Sequence, residues 1–105
     1  MTDKIVVLST CETEEQARAI ARGLVEKRLA ACVNILAGAQ SIYRWKGEVE
    51  EAAELLLIIK SRRDLFPALR LELARLHSYE VPEIVAFPIV DGSEEYLSWL
   101  DHAVG

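Results

Sequence analysis

The chain has 105 residues, a formal net charge of −5 and a hydrophobic fraction of 51%. This length predicts a single domain, residues 1–105, with a core of modest size. The acidic balance, with no basic cluster beyond Arg62 and Arg63, argues against a nucleic-acid partner, because phosphate contacts need a positive surface. No apolar run reaches the roughly 20 residues that cross a bilayer, and none resembles a signal peptide. We therefore expect a cytoplasmic protein with no membrane partner.

The first third of the chain predicts a strand, a helix and a second strand. Residues 5–8 are a short β-branched run, which favours a buried strand. Thr13 is followed three residues later by Gln16, the capping-box pattern that begins a helix. Apolar residues at helical spacing continue the helix to Lys27, whose positive charge suits a helix end. Residues 31–35 return to a strand pattern.

A long hairpin is predicted next. Residues 41–45 are rich in β-formers, residues 46–48 are typical of a tight turn, and residues 55–59 predict a strand that is buried on both faces. The distal part of this hairpin, residues 39–54, exceeds what a ferredoxin-like sandwich needs and carries Tyr43 and Trp45. Because such an aromatic arm has no obvious surface to cover in its own domain, we expect it to contact another subunit.

The last part of the chain predicts a helix, a strand and a short helix. Asp64 is placed to cap the second helix, and Pro67 is tolerated in its first turn, where the amides have no intrahelical acceptor. Residues 84–89 predict the fourth strand, and Ser93 caps a final helix. The side chains expected to point inward from that helix are Tyr96, Leu97 and Leu100. The resulting order β-α-β-β-α-β-α predicts an α+β ferredoxin-like sandwich with an extended central hairpin and a C-terminal helix.

The stretch His77-Ser78-Tyr79-Glu80-Val81-Pro82-Glu83 places an imidazole, a phenol and two carboxylates at the joint between a helix and a strand. Pro82 prevents the helix from continuing, so these polar groups are held in a turn. One interpretation is that His77 only caps the helix, where a cationic imidazole gains about 0.3–1 kcal/mol. The other is that the stretch forms part of a binding site.

Two side chains are candidates for binding a metal ion, Cys11 and His77. Thiolate and imidazole together favour copper over magnesium or calcium. The sequence has no Cys-x-x-Cys or His-x-x-His pair, so distant segments must build any such site. We expect copper or another divalent cation as a ligand and no metal requirement for folding. Cys32, within a strand, is interpreted as a small buried hydrophobe.

A second candidate site is a cleft between subunits that accepts a small polar or anionic ligand. We expect it to be lined by Lys60, Tyr79, Glu80, Trp45 and Trp99. The sequence contains neither a nucleophile with an adjacent base nor a glycine-rich phosphate loop. We therefore do not expect an enzyme.

Five segments resemble the CutA family of divalent-cation tolerance proteins. They are residues 30–35 (AACVNI), 41–48 (SIYRWKGE), 57–60 (LIIK), 77–84 (HSYEVPEI) and 96–100 (YLSWL). The resemblance implies a ferredoxin-like fold, a homotrimer joined through its long hairpins and similar in outline to the PII signalling proteins, and a role in tolerance of copper and other divalent cations. Some members have a cysteine where this chain has Ser9, whereas here Cys11 follows two residues later, on the same side if the strand extends that far.

Three functions remain open at this level. The chain is a trimeric divalent-cation tolerance protein that binds metal, a PII-like trimer that senses a small anionic ligand in intersubunit clefts, or a trimeric anchor with a structural role only.

Overall fold

The computed structural model describes residues 2–105, in which an antiparallel sheet carries helices mainly on one face. The elements are β1 (Lys4–Cys11), α1 (Glu14–Glu26), β2 (Cys32–Trp45), β3 (Glu48–Arg62), a 3₁₀ turn (Arg63–Leu65), α2 (Phe66–Leu76), β4 (Val85–Pro88) and α3 (Glu94–Ala103). The strand order is β2-β3-β1-β4, and each neighbouring pair is antiparallel. This confirms the ferredoxin-like α+β fold. Within residues 2–105, no helix is long and apolar enough to span a membrane.

The helix starts follow the sequence signals in two of three cases. The Thr13 hydroxyl accepts the Gln16 amide at 3.1 Å, so α1 begins as predicted. The Ser93 hydroxyl likewise accepts an amide of α3 at 3.3 Å. The prediction that Asp64 caps α2 is wrong, because the Asp64 carboxylate accepts the Arg62 Nε–H at 2.6 Å instead. The 3₁₀ turn leads into α2 in place of a side-chain cap.

β2 and β3 both continue from the sheet into a two-stranded arm, which confirms the extended hairpin predicted from the sequence. The predicted turn is confirmed: Lys46 and Gly47 have φ of 50° and 83°, the left-handed conformation that tight hairpins require. A β-bulge interrupts the register between Leu36 and Ala39 and marks the base of the arm. The arm therefore projects as one ribbon from the sheet.

The core lies between one sheet face and the two long helices. Its fully buried members are Val7, Cys11, Ala17, Ile20, Leu24, Ala30, Leu57, Ile59, Leu69 and Leu73. The prediction that residues 55–59 are buried on both faces is wrong for the single chain, because α1 and α2 cover only the face of Leu57 and Ile59. Leu56 and Ile58 lie on the second face and are half-buried. Cys32 also lies on this second face and is half-buried rather than buried.

α3 covers one end of the second face. Leu100 and Val104 pack on Ala31, so the inward orientation of Leu100 is confirmed. Tyr96 does not point inward: it is 42% exposed and its ring lies 5.5 Å from that of Trp99. An ionic cluster fastens the helix to the sheet, since the Asp101 carboxylate lies 3.1 Å from Lys4 Nζ and 3.2 Å from Arg62 Nη1.

The Ser9 hydroxyl is fully buried and has no hydrogen-bond partner among the described residues. A buried hydroxyl without a partner loses its hydration and gains nothing in return, so Ser9→Ala should raise the free energy of unfolding by about 1 kcal/mol. Ser61 is the matched control: it is equally buried, but its hydroxyl donates to the Leu29 carbonyl at 2.6 Å. Ser61→Ala should therefore lower stability by about 1 kcal/mol in the same denaturant titration. Equal losses in both variants would contradict the prediction.

The ionic cluster under α3 predicts a response to acid. Hydrogen bonds, first from Lys4 and then from Arg62, hold the pKa of Asp101 below its ordinary value of 3.8. A lowered folded-state pKa gives stability that is present above the unfolded value and is lost as pH falls through the folded value. Asp101→Asn should lower the melting temperature at neutral pH and flatten its decline below about pH 4. Glu95→Gln, on the same helix but without an ion pair among the described residues, should leave the profile unchanged; a profile for Asp101→Asn that parallels the wild type would contradict this account.

Candidate functional site

His77 joins the end of α2 to the end of β1. His77 is only 8% exposed. Nε2 lies 2.6 Å from the Thr10 carbonyl, and Nδ1 accepts the Tyr79 amide at 3.1 Å. Because a carbonyl only accepts and an amide N–H only donates, the ring is neutral and carries its proton on Nε2. The cationic helix cap considered from the sequence is not the arrangement found.

The predicted metal ligands are both engaged elsewhere in the single chain. Neither nitrogen of His77 has a free lone pair, since one carries the proton and the other accepts an amide. The Cys11 thiol is buried and donates to the Thr13 carbonyl at 3.7 Å. Burial raises the pKa of this thiol, whereas metals bind the thiolate. The two residues therefore do not form a ready copper site in the single chain, and copper titration of a His77→Ala variant separates the sequence-based hypothesis that His77 is a ligand from a structural role.

Two further observations bear on a metal centre. β1 does extend to Cys11, so Ser9 and Cys11 share the buried face of the sheet as the alternation predicted. Within residues 2–105 of one chain, no three His, Cys, Asp or Glu side chains converge closely enough to hold a metal ion. A single subunit consequently offers no complete metal site in its described part.

Tyr79 is held against a buried carboxylate. Its hydroxyl donates to Glu54 Oε2 at 2.6 Å, and Glu54 is only 7% exposed. Burial, followed by this hydrogen bond, raises the pKa of Tyr79 well above its ordinary value of 10, so the phenol remains a donor. No Lys, Arg or His in the described part of the chain forms an ion pair with Glu54. The carboxylate is thus compensated by one neutral donor.

A cleft of about 480 Å³ opens above this pair, between the arm, the end of β1 and the loop that follows α2. Its walls are Tyr43, Trp45 and Tyr79, its carboxylates are Glu54, Glu80 and Glu83, and Thr10, Ser78 and Val81 complete the lining. None of the described residues that line it is basic. The cleft therefore combines aromatic surface with a negative potential, which suits a cation.

The structure brings together three of the five predicted cleft residues, Tyr79, Glu80 and Trp45. Lys60 and Trp99 do not line this cleft in the single chain. Lys60 Nζ donates to Asn34 Oδ1 on the second sheet face, and Trp99 lies on α3 beside Tyr96. Both residues were predicted to line the cleft from their residue type alone. The sequence gives no strand register from which their distance to the turn at residues 77–83 could be judged.

Six lining residues were not among the predicted cleft residues: Thr10, Tyr43, Glu54, Ser78, Val81 and Glu83. Glu54 belongs to an acidic stretch that resembles a solvated surface. The signal that identifies it is alternation, because Ile58, Leu56 and Glu54 occupy successive positions on one strand face. A glutamate at the end of an apolar series is a candidate for burial.

A ferredoxin-like sheet whose second and third strands continue into an arm, with a cleft at the arm's base, defines the class of this molecule. A family model for the CutA1 divalent ion tolerance protein matches residues 5–103. The divalent-cation tolerance protein CutA of Thermus thermophilus is 57% identical over 100 residues, which cover 95% of this chain and 97% of that one. The chain belongs to the CutA1 divalent ion tolerance family, as its sequence motifs indicated.

Solved structures agree with this assignment. The divalent cation tolerance protein of Thermus thermophilus superposes with a TM-score of 0.95 at 56% identity, covering 97% of this chain and 99% of that one. CutA of Xylella fastidiosa superposes with a TM-score of 0.96 at 39% identity, covering 99% and 100%. CutA of Archaeoglobus fulgidus superposes with a TM-score of 0.94 at 40% identity, covering 97% of this chain and 99% of that one. That protein is named a periplasmic divalent cation tolerance protein. A cytoplasmic location for this chain thus stays a prediction.

Proposed function

We propose that the protein acts in divalent-cation tolerance as a homotrimer. The trimer binds divalent cations, copper among them, at positions shared between subunits. The names of its relatives supply the cation-tolerance role. The proposed assembly is supported by the second face of the sheet, which is mainly apolar and largely uncovered. Its most exposed members are Leu36 at 46%, Val85 at 42% and Phe87 at 51%.

Both the face and its borders favour association. A continuous apolar surface on a small protein is typical of a protein interface. β2 and β4 are the edges of the sheet, and an edge strand presents unpaired amides and carbonyls that a second chain can pair with. The far side of the arm adds Ile42 and Val49, which are 70% and 62% exposed. Three is the number of subunits that the resemblance to the CutA family implies.

The proposed location of the cation follows from the ligand geometry. Since no three suitable side chains converge within the described part of one chain, a complete coordination sphere needs groups from more than one subunit. Cation binding and assembly are therefore coupled in this proposal.

The two alternative functions make different demands on the structure. A sensor of an anionic ligand needs positive charge in its cleft, whereas the part of the cleft that one subunit lines carries the carboxylates of Glu54, Glu80 and Glu83. A purely structural anchor needs the trimer but no cation. Titration with metal ions separates the anchor from the cation-binding trimer.

The assembly is tested by the molecular mass in solution. Light scattering at micromolar concentration should give the mass of a trimer. Phe87→Glu places a charge on the uncovered face and should yield monomers, because burying an unpaired carboxylate costs several kcal/mol. Leu71→Glu is the matched control, since Leu71 is 63% exposed on α2, away from that face. A monomeric wild type would refute the proposal, as would equal dissociation by both variants.

The cation is tested by anaerobic calorimetric titration with Cu²⁺, Zn²⁺ and Mn²⁺. Saturable binding is expected for the wild-type trimer and is expected to be lost in the Phe87→Glu monomer. His77→Ala should leave the copper affinity of the folded trimer unchanged but lower its stability by about 1–3 kcal/mol, because the Thr10 carbonyl and the Tyr79 amide lose a partner. Full copper affinity in the monomer would contradict shared sites. Loss of copper binding in a stable, trimeric His77→Ala variant would instead identify His77 as a ligand.

A further inference from the structure

We propose that the acidic cleft at the base of the arm is completed by a second copy of the chain, through Lys60 of the partner subunit and the helix α3 beside it. This inference rests on the proposed homotrimer and specifies which two surfaces of the chain meet in it. Its basis is the different charge at the two ends of the second sheet face.

The arm end of this face is acidic. Five carboxylates share it: Glu48, Glu50 and Glu54 along one side of β3, and Glu80 and Glu83 from the loop after α2. The rings of Tyr43 and Trp45 lie opposite the first two of them in the register. Within residues 2–105, the cation that pairs with any of the five is Lys46, whose Nζ lies 3.9 Å from Glu80 Oε2. This end therefore has an excess of negative charge and exposed aromatic surface.

The opposite end of the same face offers a cation without a carboxylate. Lys60 donates to the neutral side chain of Asn34 and forms no ion pair with any Asp or Glu of the described part of the chain. α3 lies beside it, because Leu100 packs on Ala31 and the Ala31 amide donates to the Lys60 carbonyl at 2.8 Å. The same helix presents Trp99, which is 49% exposed. This end is complementary to the arm end in charge and matches it in aromatic surface.

The two ends cannot meet within one subunit. Glu54 and Lys60 lie on one side of β3, six residues apart along a continuous strand. At about 3.3 Å per residue, about 20 Å separates them, which is far beyond the reach of a lysine side chain. Any contact between Lys60 and the cleft must therefore join two chains.

The symmetry of a trimer requires two different surfaces to meet. A surface that contacts its own copy closes a dimer, whereas a ring of three joins one surface of each subunit to another surface of the next. Contact between two arm ends would bring carboxylates together, and like charges at an interface oppose association. Contact between the arm end and the Lys60 end joins opposite charges and is continuous with the uncovered apolar face between them.

The contact is tested on the wild-type protein by coupling carboxylates directly to amines with a carbodiimide, followed by mass spectrometry of the peptides. This reagent adds no spacer, so it joins only groups that touch. Lys60 should be joined to a carboxylate of the cleft in the trimer and not in the Phe87→Glu monomer. The Lys46–Glu80 pair lies within one chain and should be coupled in both, which makes it the internal control.

Each other result of the coupling is decisive. A trimer that yields the Lys46–Glu80 product without a Lys60 product would overturn the proposal. Coupling of Lys60 to the cleft in the monomer, or coupling of the cleft to Lys4 or Lys27 of a second chain, would do the same. A monomeric wild type would refute the proposed trimer itself, so the two failures are distinguishable.

Reversal of charge tests the energetic role of the contact. Lys60→Glu and Glu83→Lys should each lower the urea concentration at which light scattering shows loss of the trimer by about 1 M or more, because each puts like charges together. The double variant restores opposite charges and should recover at least half of that loss. Arg70→Glu on α2, an exposed residue without an ion pair among those described, is the matched control and should have no effect. Additive losses in the double variant, or an equal loss in the control, would overturn the proposal.

Discussion

The two hydrogen bonds of His77 determine where the loop after α2 can lie. One ring nitrogen is fixed to the Thr10 carbonyl at the end of β1, and the other accepts the Tyr79 amide. With its backbone held, Tyr79 directs its hydroxyl to Glu54, 25 residues away in sequence, at 2.6 Å. The cleft thus depends on a side chain that does not line it. A second proton on the ring would face the Tyr79 amide with another donor, so the arrangement requires the neutral imidazole.

The second structural constraint is that the two long helices cover only one face of the sheet. The helices bury Leu57 and Ile59, while Leu56 and Ile58 of the same strand are only half-covered. In the proposed trimer the second face becomes interior, so stability and assembly are one equilibrium.

The sequence predicts best those features that are decided within a few residues. The Thr13 cap and the Lys46-Gly47 turn are local, and both are found. The Asp64 cap fails because Arg62, two residues earlier, competes for the carboxylate, and composition cannot rank the two partners. The cleft was predicted in part because its loop residues adjoin one another. Glu54 was missed because its alternation with Leu56 and Ile58 was not followed beyond the apolar run, and its partner Tyr79 lies 25 residues away in the loop after α2.

The β-bulge between Leu36 and Ala39 sets the direction in which the arm leaves the sheet. The bulge interrupts the ladder and bends β2 at the base of the arm, whereas the ladder beyond it is continuous to Trp45. At about 3.3 Å per residue, Trp45 lies about 20 Å from that pivot. A rotation of about 5° at the bulge therefore displaces the tryptophan by about 2 Å, the difference between ring contact and a gap. The aperture of the cleft is thus sensitive to backbone geometry at the base of the arm, far from the ring whose position it sets.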